Sequence, residues 1–302
     1  MTETRAKSSV LTLLPPLLAV AGLYALVMLG IESPLWRWLL RDEPVGLETS
    51  LSANEMSQAE SLDAALTRMN YRLDRIAAGQ TVPPLFLPSL PEDLDQIAEI
   101  ATKKQVFLRL MLPLILVVNE EIAEDRARLE IMAANRARRD ESWLAEVAER
   151  YQSPSAEPAA LLRRVDVVPP SLALAQAAEE SGWGTSRFVR QGNNLFGQIA
   201  ATGLIPEDDS SGPAMASFDS LHAAVRAYVQ NLNAHPAYDN LRRIRAQIRA
   251  RGGFPDGHSL AGALGAYSER GQAYIDGIRA LIRHNGLLRF DHAKLGRQGI
   301  LS

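Results

Sequence analysis

The stretch VVPPSLALAQAAEESGWG, at residues 167–184, decides how the fold of this sequence is interpreted. Pro169 and Pro170 open it, and proline suits the first turn of a helix because its φ angle is already helical. Gly182 follows the apolar run, and glycine commonly ends a helix in a left-handed conformation. The pattern therefore predicts a helix over residues 171–181.

The rest of the chain extends the same pattern in both directions. Apolar residues recur at helical spacing and strand-like alternation is scarce, so we predict a mainly α fold. Residues 107–118 are strongly apolar but too few to cross a bilayer, which indicates a buried core helix. Residues 81–91 contain four prolines and must be extended, as a linker or a strap. The predicted helices span residues 54–78, 94–130 with a continuation over 131–150, 161–166, 171–181, 221–233, 240–251, 260–267 and 274–284.

Glu179 and Glu180 lie in the last turn of the helix predicted over residues 171–181. The dipole of a helix disfavours negative charge at its C-terminal end. If Glu180 also faces an apolar cleft, both effects raise the pKa of its carboxyl group. A carboxyl group that keeps its proton near neutral pH suits a general acid for glycosidic cleavage. A solvated acidic pair at a helix end would give the same sequence pattern.

Two linked motifs carry a family resemblance. Residues 175–184 (AQAAEESGWG), followed by residues 192–197 (GNNLFG), resemble the glucosaminidase family of peptidoglycan hydrolases, glycoside hydrolase family 73. The resemblance runs from about residue 82 to residue 290. It implies a lysozyme-like helical fold that cleaves between N-acetylglucosamine and N-acetylmuramic acid. The catalytic glutamate of the family immediately precedes a serine, which implies that Glu180 has this role.

Residues around these motifs are candidates for substrate binding. Trp183 can lie beside Glu180 and either desolvate it, stack on a sugar ring or pack in the core. Asn193 and Asn194 fit a tight turn that points amide groups at sugar hydroxyl or acetamido groups, although turn-making alone would also explain them. Phe196 is either a sugar platform or, more simply, a core residue.

The resemblance also points to two tyrosines and a second acid. Tyr267 and Tyr274 are spaced like paired tyrosines near the C-terminal end of the family domain. We expect Tyr267 to contact the reaction centre, because a phenol can hydrogen-bond a sugar or a catalytic water, and Tyr274 to line the cleft. A second acid of the family lies after the Asn-Asn-Leu-Phe segment, which makes Glu207 the positional candidate. A solvated acidic loop at residues 207–209 is the alternative.

Composition and charge exclude some classes of function. The 302 residues carry a formal net charge of −3 and a sequence pI near 6.0, so no global basic field favours nucleic acid as a partner. The absence of cysteine excludes disulfides, a thiolate zinc site and a cysteine nucleophile. The five histidines show no metal-ligand spacing, and we expect no metal and no other cofactor. Arginines at residues 242–251 form either a solvated helix face or a contact with anionic wall polymer or lipid.

The N-terminal segment predicts export. Residues 10–31 form an uncharged apolar run of 22 residues, long enough to cross a hydrocarbon core about 30 Å thick. Arg5 and Lys7 precede it, and positive charge on this side predicts that the N-terminus stays in the cytoplasm. We expect a single-pass anchor in the bacterial inner membrane with the catalytic domain in the periplasm. A cleaved signal peptide and a buried core helix are the alternatives.

These observations divide the chain and lead to one functional prediction. The segments are a cytoplasmic N-terminus at residues 1–9, the transmembrane anchor at 10–31, a juxtamembrane helix and proline-rich linker at 32–91, a helical region packed on the catalytic core at 92–160, the glucosaminidase domain at 161–291 and a tail at 292–302. We predict an endo-β-N-acetylglucosaminidase that acts on peptidoglycan with Glu180 as its general acid. A lytic transglycosylase on the same fold and a noncatalytic wall-binding scaffold protein are the alternatives.

Overall fold

The computed structural model describes residues 51–204 and 214–296 of the chain. Several predictions concern residues outside these ranges: the cytoplasmic segment, the anchor at residues 10–31, the acidic loop with Glu207, and the end of the tail. Within the described ranges, no helix combines the length and the apolar character that crossing a membrane requires.

Helices dominate the described residues, so the mainly α prediction is confirmed. The α-helices are α1 (Ala53–Ser57), α2 (Ala59–Arg68), α3 (Leu73–Ala77), α4 (Ile100–Ala134), α5 (Glu141–Arg150), α6 (Pro158–Leu161), α7 (Pro170–Ser181), α8 (Arg187–Gly192), α9 (Leu221–Ala234), α10 (Asp239–Ala250), α11 (Gly257–Ala261) and α12 (Gln272–His284). Short 3-10 helices lie at Leu94–Gln96, Arg136–Arg138, Pro236–Tyr238 and Leu287–Phe290. A strand, β1 (Ile199–Leu204), forms antiparallel bridges with Met215.

Helix α7, predicted from the opening stretch, is the central element of the core. Its residues from Pro170 to Ala178 are all buried, and it packs against α4, α11, α12 and the 3-10 helix at Leu287–Phe290. A helix covered on every side is typical of the interior of a domain. Only in its last turn do side chains reach partial exposure, at Glu179 and Glu180. The core therefore presents these two glutamates at one place on its surface.

The N-terminus of α7 is fixed by a buried carboxylate. Asp291 accepts hydrogen bonds from the Ser171 backbone N–H (2.7 Å) and from the Ser171 hydroxyl (2.8 Å). The Gly257 N–H, at the start of α11, donates to the same carboxylate at 3.2 Å. A negative group suits two helix N-termini, where backbone N–H groups lack partners within the helix. Asp291 thus joins the beginnings of α7 and α11.

Helix α4 provides the main wall against which the other helices pack. Nearly all residues from Val106 to Val118 are buried, which confirms the core helix predicted over residues 107–118. Pro113 lies inside this helix, where it has no N–H to donate to the preceding turn. The helix nevertheless continues to Ala134, since its apolar turns are held by the surrounding core.

Two long helices predicted from the sequence are interrupted. The helix predicted over residues 54–78 is three short helices, because Gln58 is extended and Asn70 takes a left-handed φ of 61° that a right-handed helix does not accept. The helix predicted to continue over residues 131–150 stops before Asn135, which is extended. The Asp140 side chain then caps the start of α5.

Two short predicted helices are displaced. In place of the helix predicted over residues 161–166, α6 begins at Pro158, which sets the first turn, and ends at Leu161. In place of the helix predicted over residues 260–267, α11 begins after Asp256, whose side chain caps it, and ends at Ala261. The capping residues, and not the apolar periodicity, decide both starts.

Residues 81–91 are extended, as predicted, and form a strap over the core. The Val82 N–H donates to the Lys294 carbonyl at 2.8 Å, and the Leu221 N–H donates to the Pro88 carbonyl at 3.0 Å. The buried side chains of the strap are Val82, Leu85, Phe86, Leu87 and Leu90. The strap is therefore part of the folded unit and does not behave as a free linker.

The arginines of α10 are largely internal. Arg242 and Arg245 are buried, and Arg249 makes two hydrogen bonds of 2.6 Å to the buried carboxylate of Asp166. Arg245 also donates to the backbone carbonyls of Asp166 and Val167. Neither a solvated face nor a polymer contact describes these three arginines. Arg245 and Arg249 tie α10 to the segment that leads into α7, and Arg242 donates to the Leu232 and His235 carbonyls at the end of α9.

Candidate active site

Glu180 is held at the open end of α7 by the turn that follows it. Gly182 has a φ of 58° and ends the helix, as predicted. The buried Ser181 hydroxyl donates to the Ala177 carbonyl and accepts the Gly184 N–H at 2.8 Å. The serine that follows the glutamate thus fixes the turn, and with it the direction of the last helical residues.

The carboxyl group of Glu180 is half-buried, and its two oxygens have different neighbours. Oε1 accepts a hydrogen bond from the Tyr274 hydroxyl at 2.7 Å. Oε2 lies beside Gly197, where a β-carbon would come within 3.3 Å of it. Glycine at position 197 therefore leaves room for Oε2. The end of the GNNLFG motif and the glutamate of the first motif meet at this point.

The surroundings raise the pKa of the Glu180 carboxyl group above its ordinary value. Burial is the largest cause, because it disfavours the charged form. The Tyr274 hydrogen bond lowers this pKa, the negative charge of Glu179 raises it, and the positive charge of Arg270 lowers it. Burial prevails, which suits a group that must deliver a proton.

Glu179 has a different environment from its neighbour. Its carboxylate forms an ion pair with the Arg270 guanidinium at 2.8 Å, and both side chains are partly exposed. The hydrogen bond to Glu180 comes instead from a neutral phenol. The geometry therefore favours Glu180 as the proton donor and gives Glu179 the role of an ion-pair partner at the rim.

A chain of buried hydrogen bonds lies behind Glu180. The Tyr274 hydroxyl, which donates to Glu180, accepts a hydrogen bond from Gln176 Nε2 at 3.0 Å. Gln176 Oε1 accepts in turn from the Tyr228 hydroxyl at 2.7 Å. Gln176 is fully buried, and both tyrosines are 1% exposed. Gln176 precedes Glu180 by one helical turn, so the two side chains share a face of α7.

Tyr267 packs beside this chain, but its hydroxyl bonds elsewhere. Its ring stacks on Tyr274 with 5.4 Å between centroids, and its hydroxyl donates to the Phe196 carbonyl at 3.0 Å. The hydroxyl that donates to Glu180 is that of Tyr274, which we expected to line the cleft. Sequence spacing does not show which of two stacked rings faces the carboxyl group. A direct role of Tyr267 toward substrate stays a prediction.

The side chains of the loop at residues 192–197 hold the loop itself together. Asn194 is 1% exposed, and its amide nitrogen donates to two backbone carbonyls. Asn193 takes a left-handed φ of 51° and donates to a third carbonyl. Phe196 is buried and stacks on Tyr228, with 3.8 Å between centroids. These contacts fit turn-making and core packing, and the predicted sugar contacts of the three residues stay predictions.

Trp183 lies in the turn that follows α7. It is partly exposed and has a left-handed φ of 60°. Phe107 packs edge-on against its indole, with 5.8 Å between centroids, and the Lys104 amino group lies 4.6 Å from the ring centroid. The indole is thus fixed against α4, and its stacking on a sugar stays a prediction.

A cavity of about 420 Å³ opens next to Tyr267. Such a volume is in the range of small-ligand sites, about 300–1,000 Å³. The lining residues are Phe196, Gly197, Gln198, Ile199, Asn231, His235, Tyr238 and Tyr267. Because Gly197 also adjoins Oε2 of Glu180, the cavity lies next to the proposed proton donor.

The structure bears only in part on two predictions about the site, namely the second acid and the absence of a metal. Glu207 lies outside the described residues, so its role as second acid stays a prediction. Within residues 51–204 and 214–296, no three histidine, aspartate or glutamate side chains converge as metal ligands would.

Sequence reasoning missed Gln176, Tyr228 and Arg270. A signal for Gln176 was present, because it lies four residues before Glu180 in a predicted helix. Tyr228 and Arg270 come from distant segments, and no local pattern connects them to the glutamates.

A half-buried carboxyl group of raised pKa beside a cavity defines a candidate glycosidase site. Residues 156–287 match the sequence model of the Glucosaminidase family, described as mannosyl-glycoprotein endo-beta-N-acetylglucosaminidase. The matched range contains α7, the loop at residues 192–197 and both tyrosines. The match supports a glycoside hydrolase kind of activity.

A similar protein extends the comparison beyond this range. Over 217 residues, the chain is 34% identical to protein bax of Escherichia coli (strain K12). The aligned residues make up 68% of this chain and 77% of that protein. The chain therefore belongs to the glucosaminidase family, as a Bax-like member. No solved structure gives a significant match.

Proposed function

We propose that the protein is an endo-β-N-acetylglucosaminidase that hydrolyses the glycan strands of peptidoglycan, and that its helices form a lysozyme-like fold. The observation that carries the proposal is the Glu180 carboxyl group, which is half-buried, raised in pKa and placed beside Gly197. The family match supports glycosidase chemistry at this position.

In this mechanism, Glu180 donates its proton to the leaving glycosidic oxygen. The carboxylate that results is stabilised by Tyr274, whose hydroxyl already points at Oε1. The electron-poor anomeric carbon is then attacked by water with the help of a second carboxylate, or by the acetamido carbonyl of the substrate. Glu207 is the candidate for the second carboxylate.

Two measurements on purified peptidoglycan test the proposal. A zymogram shows whether glycan is cleaved, and mass spectrometry of borohydride-reduced fragments identifies the new ends. We expect N-acetylglucosamine at the reducing ends and no 1,6-anhydromuramic product. Anhydro ends would replace the proposal by a lytic transglycosylase. A folded protein that binds the wall without cleaving it would indicate the scaffold.

We also propose that residues 10–31 anchor the protein in the inner membrane, with the catalytic domain in the periplasm. The apolar run and the preceding Arg5 and Lys7 support this orientation. A periplasm-active reporter fused after Asp42 should give signal. A mature N-terminus between residues 20 and 45 would contradict the uncleaved anchor but not the export.

A further inference from the structure

The hydrogen bonds behind Glu180 all run in one direction. The Tyr228 hydroxyl donates to Gln176 Oε1 (2.7 Å), Gln176 Nε2 donates to the Tyr274 oxygen (3.0 Å), and the Tyr274 hydroxyl donates to Glu180 Oε1 (2.7 Å). A phenol has a single proton to donate. While its oxygen accepts from Gln176, Tyr274 therefore directs that proton at Glu180.

We propose that Tyr228 is a positioning residue that acts through Gln176 to keep the acid proton of Glu180 on Oε2, the oxygen beside Gly197. This inference rests on the proposed function, since it assigns roles behind the same carboxyl group. With Oε1 accepting from Tyr274, a protonated Glu180 carries its own proton on the other oxygen. Gly197 lines the cavity and adjoins Oε2, so Oε2 is the carboxyl oxygen next to a residue of the cavity wall, whereas Oε1 faces Tyr274.

The opposite direction of these hydrogen bonds is the arrangement that the protein must avoid. If the amide of Gln176 turned over, its Oε1 would accept the Tyr274 proton, and a protonated Glu180 would donate from Oε1 to Tyr274. The acid proton would then point into the core and away from the glycan. Gln176 alone does not choose between the two directions, because its amide has a donor and an acceptor.

Tyr228 makes the choice. Its hydroxyl is buried, and within the described part of the chain the hydrogen-bond partner recorded for it is Gln176 Oε1. Turning the amide over would leave this O–H facing an NH₂ group with no acceptor, and an unmet buried donor is costly. The Tyr228 ring is held in place by its stacking on Phe196.

Other charged and titratable groups also face Glu180. Glu179 and Arg270 lie at the rim, Tyr274 lies on the core side, and Tyr267 stacks on Tyr274 and lines the cavity. Of these four groups, Tyr274 is the one hydrogen-bonded to Gln176, at 3.0 Å. A change at Tyr228 therefore alters the influence of Tyr274 on the Glu180 pKa and leaves the contacts of Glu179 and Arg270 as they are.

The central experiment is the substitution Tyr228→Phe, which removes the hydroxyl and keeps the ring. Gln176 is then free to turn over, and a protonated Glu180 gains a partner at Oε1. We expect the plateau of kcat on peptidoglycan to fall roughly 3- to 30-fold with KM unchanged, part of the ~10²–10⁴-fold that a positioned general acid contributes. We also expect the pKa of Glu180 to rise by at least about 0.5, which moves the basic limb of the rate to higher pH.

The pKa is measured without turnover by a ¹³C NMR titration of the Glu180 carboxyl carbon, which Glu180→Gln identifies by loss of its signal. Adding Gln176→Met to Tyr228→Phe removes the acceptor of the reversed chain, so the pKa should return toward the wild-type value. Tyr71→Phe is the matched control. It deletes another buried hydroxyl, for which no hydrogen-bond partner is found among the described residues, and should change neither readout.

Gln176→Met alone gives a test that does not require Tyr228→Phe to fold. Without an acceptor at position 176, the Tyr274 proton bonds Glu180, so the pKa of Glu180 should stay below the value found in Tyr228→Phe. A Glu180 pKa in folded Gln176→Met that is as high as in Tyr228→Phe would overturn the proposal.

An unchanged Glu180 pKa in folded Tyr228→Phe would also overturn it, as would a fall of kcat without a shift of the basic limb. If the wild-type protein cleaves no peptidoglycan, the proposed function fails. In that case the NMR titration still shows the direction of the hydrogen bonds behind Glu180.

Discussion

At the scale of single residues, two adjacent glutamates end α7 and have different surroundings. Glu179 is paired with the Arg270 guanidinium, whereas Glu180 is hydrogen-bonded by the neutral Tyr274 hydroxyl and has a raised pKa. A proton donor needs an environment that keeps it neutral near the working pH. The difference in environment therefore supports the proposal that Glu180, and not Glu179, is the acid.

Glu180→Gln should abolish glycan cleavage, because the amide keeps the shape but has no acidic proton. A rate loss of about 10²- to 10⁴-fold is expected for a general acid. Glu179→Gln is the control, since it removes the ion pair with Arg270 and leaves Glu180 intact. Turnover of peptidoglycan and the melting temperature are measured for both variants. The assignment is wrong if Glu180→Gln retains full activity.

Tyr274→Phe should lower kcat more than Tyr267→Phe does. Tyr274 stabilises the Glu180 carboxylate that forms as the proton leaves, whereas Tyr267 bonds a backbone carbonyl. Because this hydrogen bond lowers the pKa of Glu180, its loss raises that pKa further. Glu180 then stays protonated to higher pH, so the basic limb of the pH–rate profile shifts upward in Tyr274→Phe. Equal losses with unshifted limbs would contradict this ranking.

The sequence predicted Glu180 as the proton donor, which stays a prediction, but it did not predict the hydrogen bonds that surround Glu180. Glu180 and Gly197 come from two motifs, and their meeting could be expected from the family pattern. The sequence could not show which of Tyr267 and Tyr274 faces the carboxyl group, because the two rings are stacked and their spacing in the sequence does not distinguish them. Tyr228 was missed since it approaches from another helix.

At the scale of elements, the approach of α11 to α7 depends on Gly257. A β-carbon built there would lie 2.2 Å from the Ser171 hydroxyl and 2.5 Å from the Leu172 backbone nitrogen. Backbone atoms of a central helix do not move aside. The two helix starts that share Asp291 are therefore close only because this residue is glycine.

Gly257→Ala should destabilise the fold by about 1–3 kcal/mol, the usual cost of overpacking. Gly277→Ala is the matched control, since position 277 lies within α12 and a β-carbon there meets no atom within 4 Å. Alanine should stabilise that helix by about 0.5–1 kcal/mol. Thermal denaturation of both variants gives the comparison. A Gly257→Ala variant as stable as the wild type would show that α11 can shift.

The helices that could be predicted are those with strong apolar periodicity, such as α4, α7, α9 and α12. The points at which predicted helices are interrupted could not be predicted. Asn70 and Asn135 interrupt two predicted helices, although asparagine within a helix is only mildly unfavourable by propensity. The deciding factors are a left-handed φ at Asn70 and an extended conformation at Asn135. Both residues are exposed, and the hydrogen bonds around them are local: the Tyr71 N–H donates to the Leu66 carbonyl, and the Ala137 N–H donates to the Asn135 side chain.

At the scale of the whole molecule, one hydrophobic core extends from Leu51 to Phe290. The range that matches the family model begins only at residue 156, so much of the core that covers α7 precedes it. The strap at residues 81–91 belongs to this core. The segments that we expected as linker and as catalytic domain therefore share one interior among the described residues.

The last prediction concerns what must be retained for a folded, active protein. The turn after Glu180 is supported from outside the matched range: a β-carbon at Gly184 would meet Leu90 at 2.5 Å and both Leu94 and Phe107 at 3.0 Å. Leu90 is on the strap, so removing the strap takes away one of the three side chains that cover that turn. A variant of residues 92–302 should lose activity and its cooperative thermal transition. Each large apolar side chain taken from the core typically costs about 2–5 kcal/mol.

A variant of residues 41–302, which keeps α1 to α3 and the strap, is the control for this truncation. It should stay soluble, unfold cooperatively and cleave peptidoglycan if the proposed function holds. Circular dichroism in the near ultraviolet and the thermal transition are compared between the two variants, because neither readout requires activity. If residues 92–302 unfold as sharply as residues 41–302, the strap is dispensable and the catalytic core begins after it. If only the longer variant does so, the turn that orients Glu180 depends on a strap that lies far from it in the sequence.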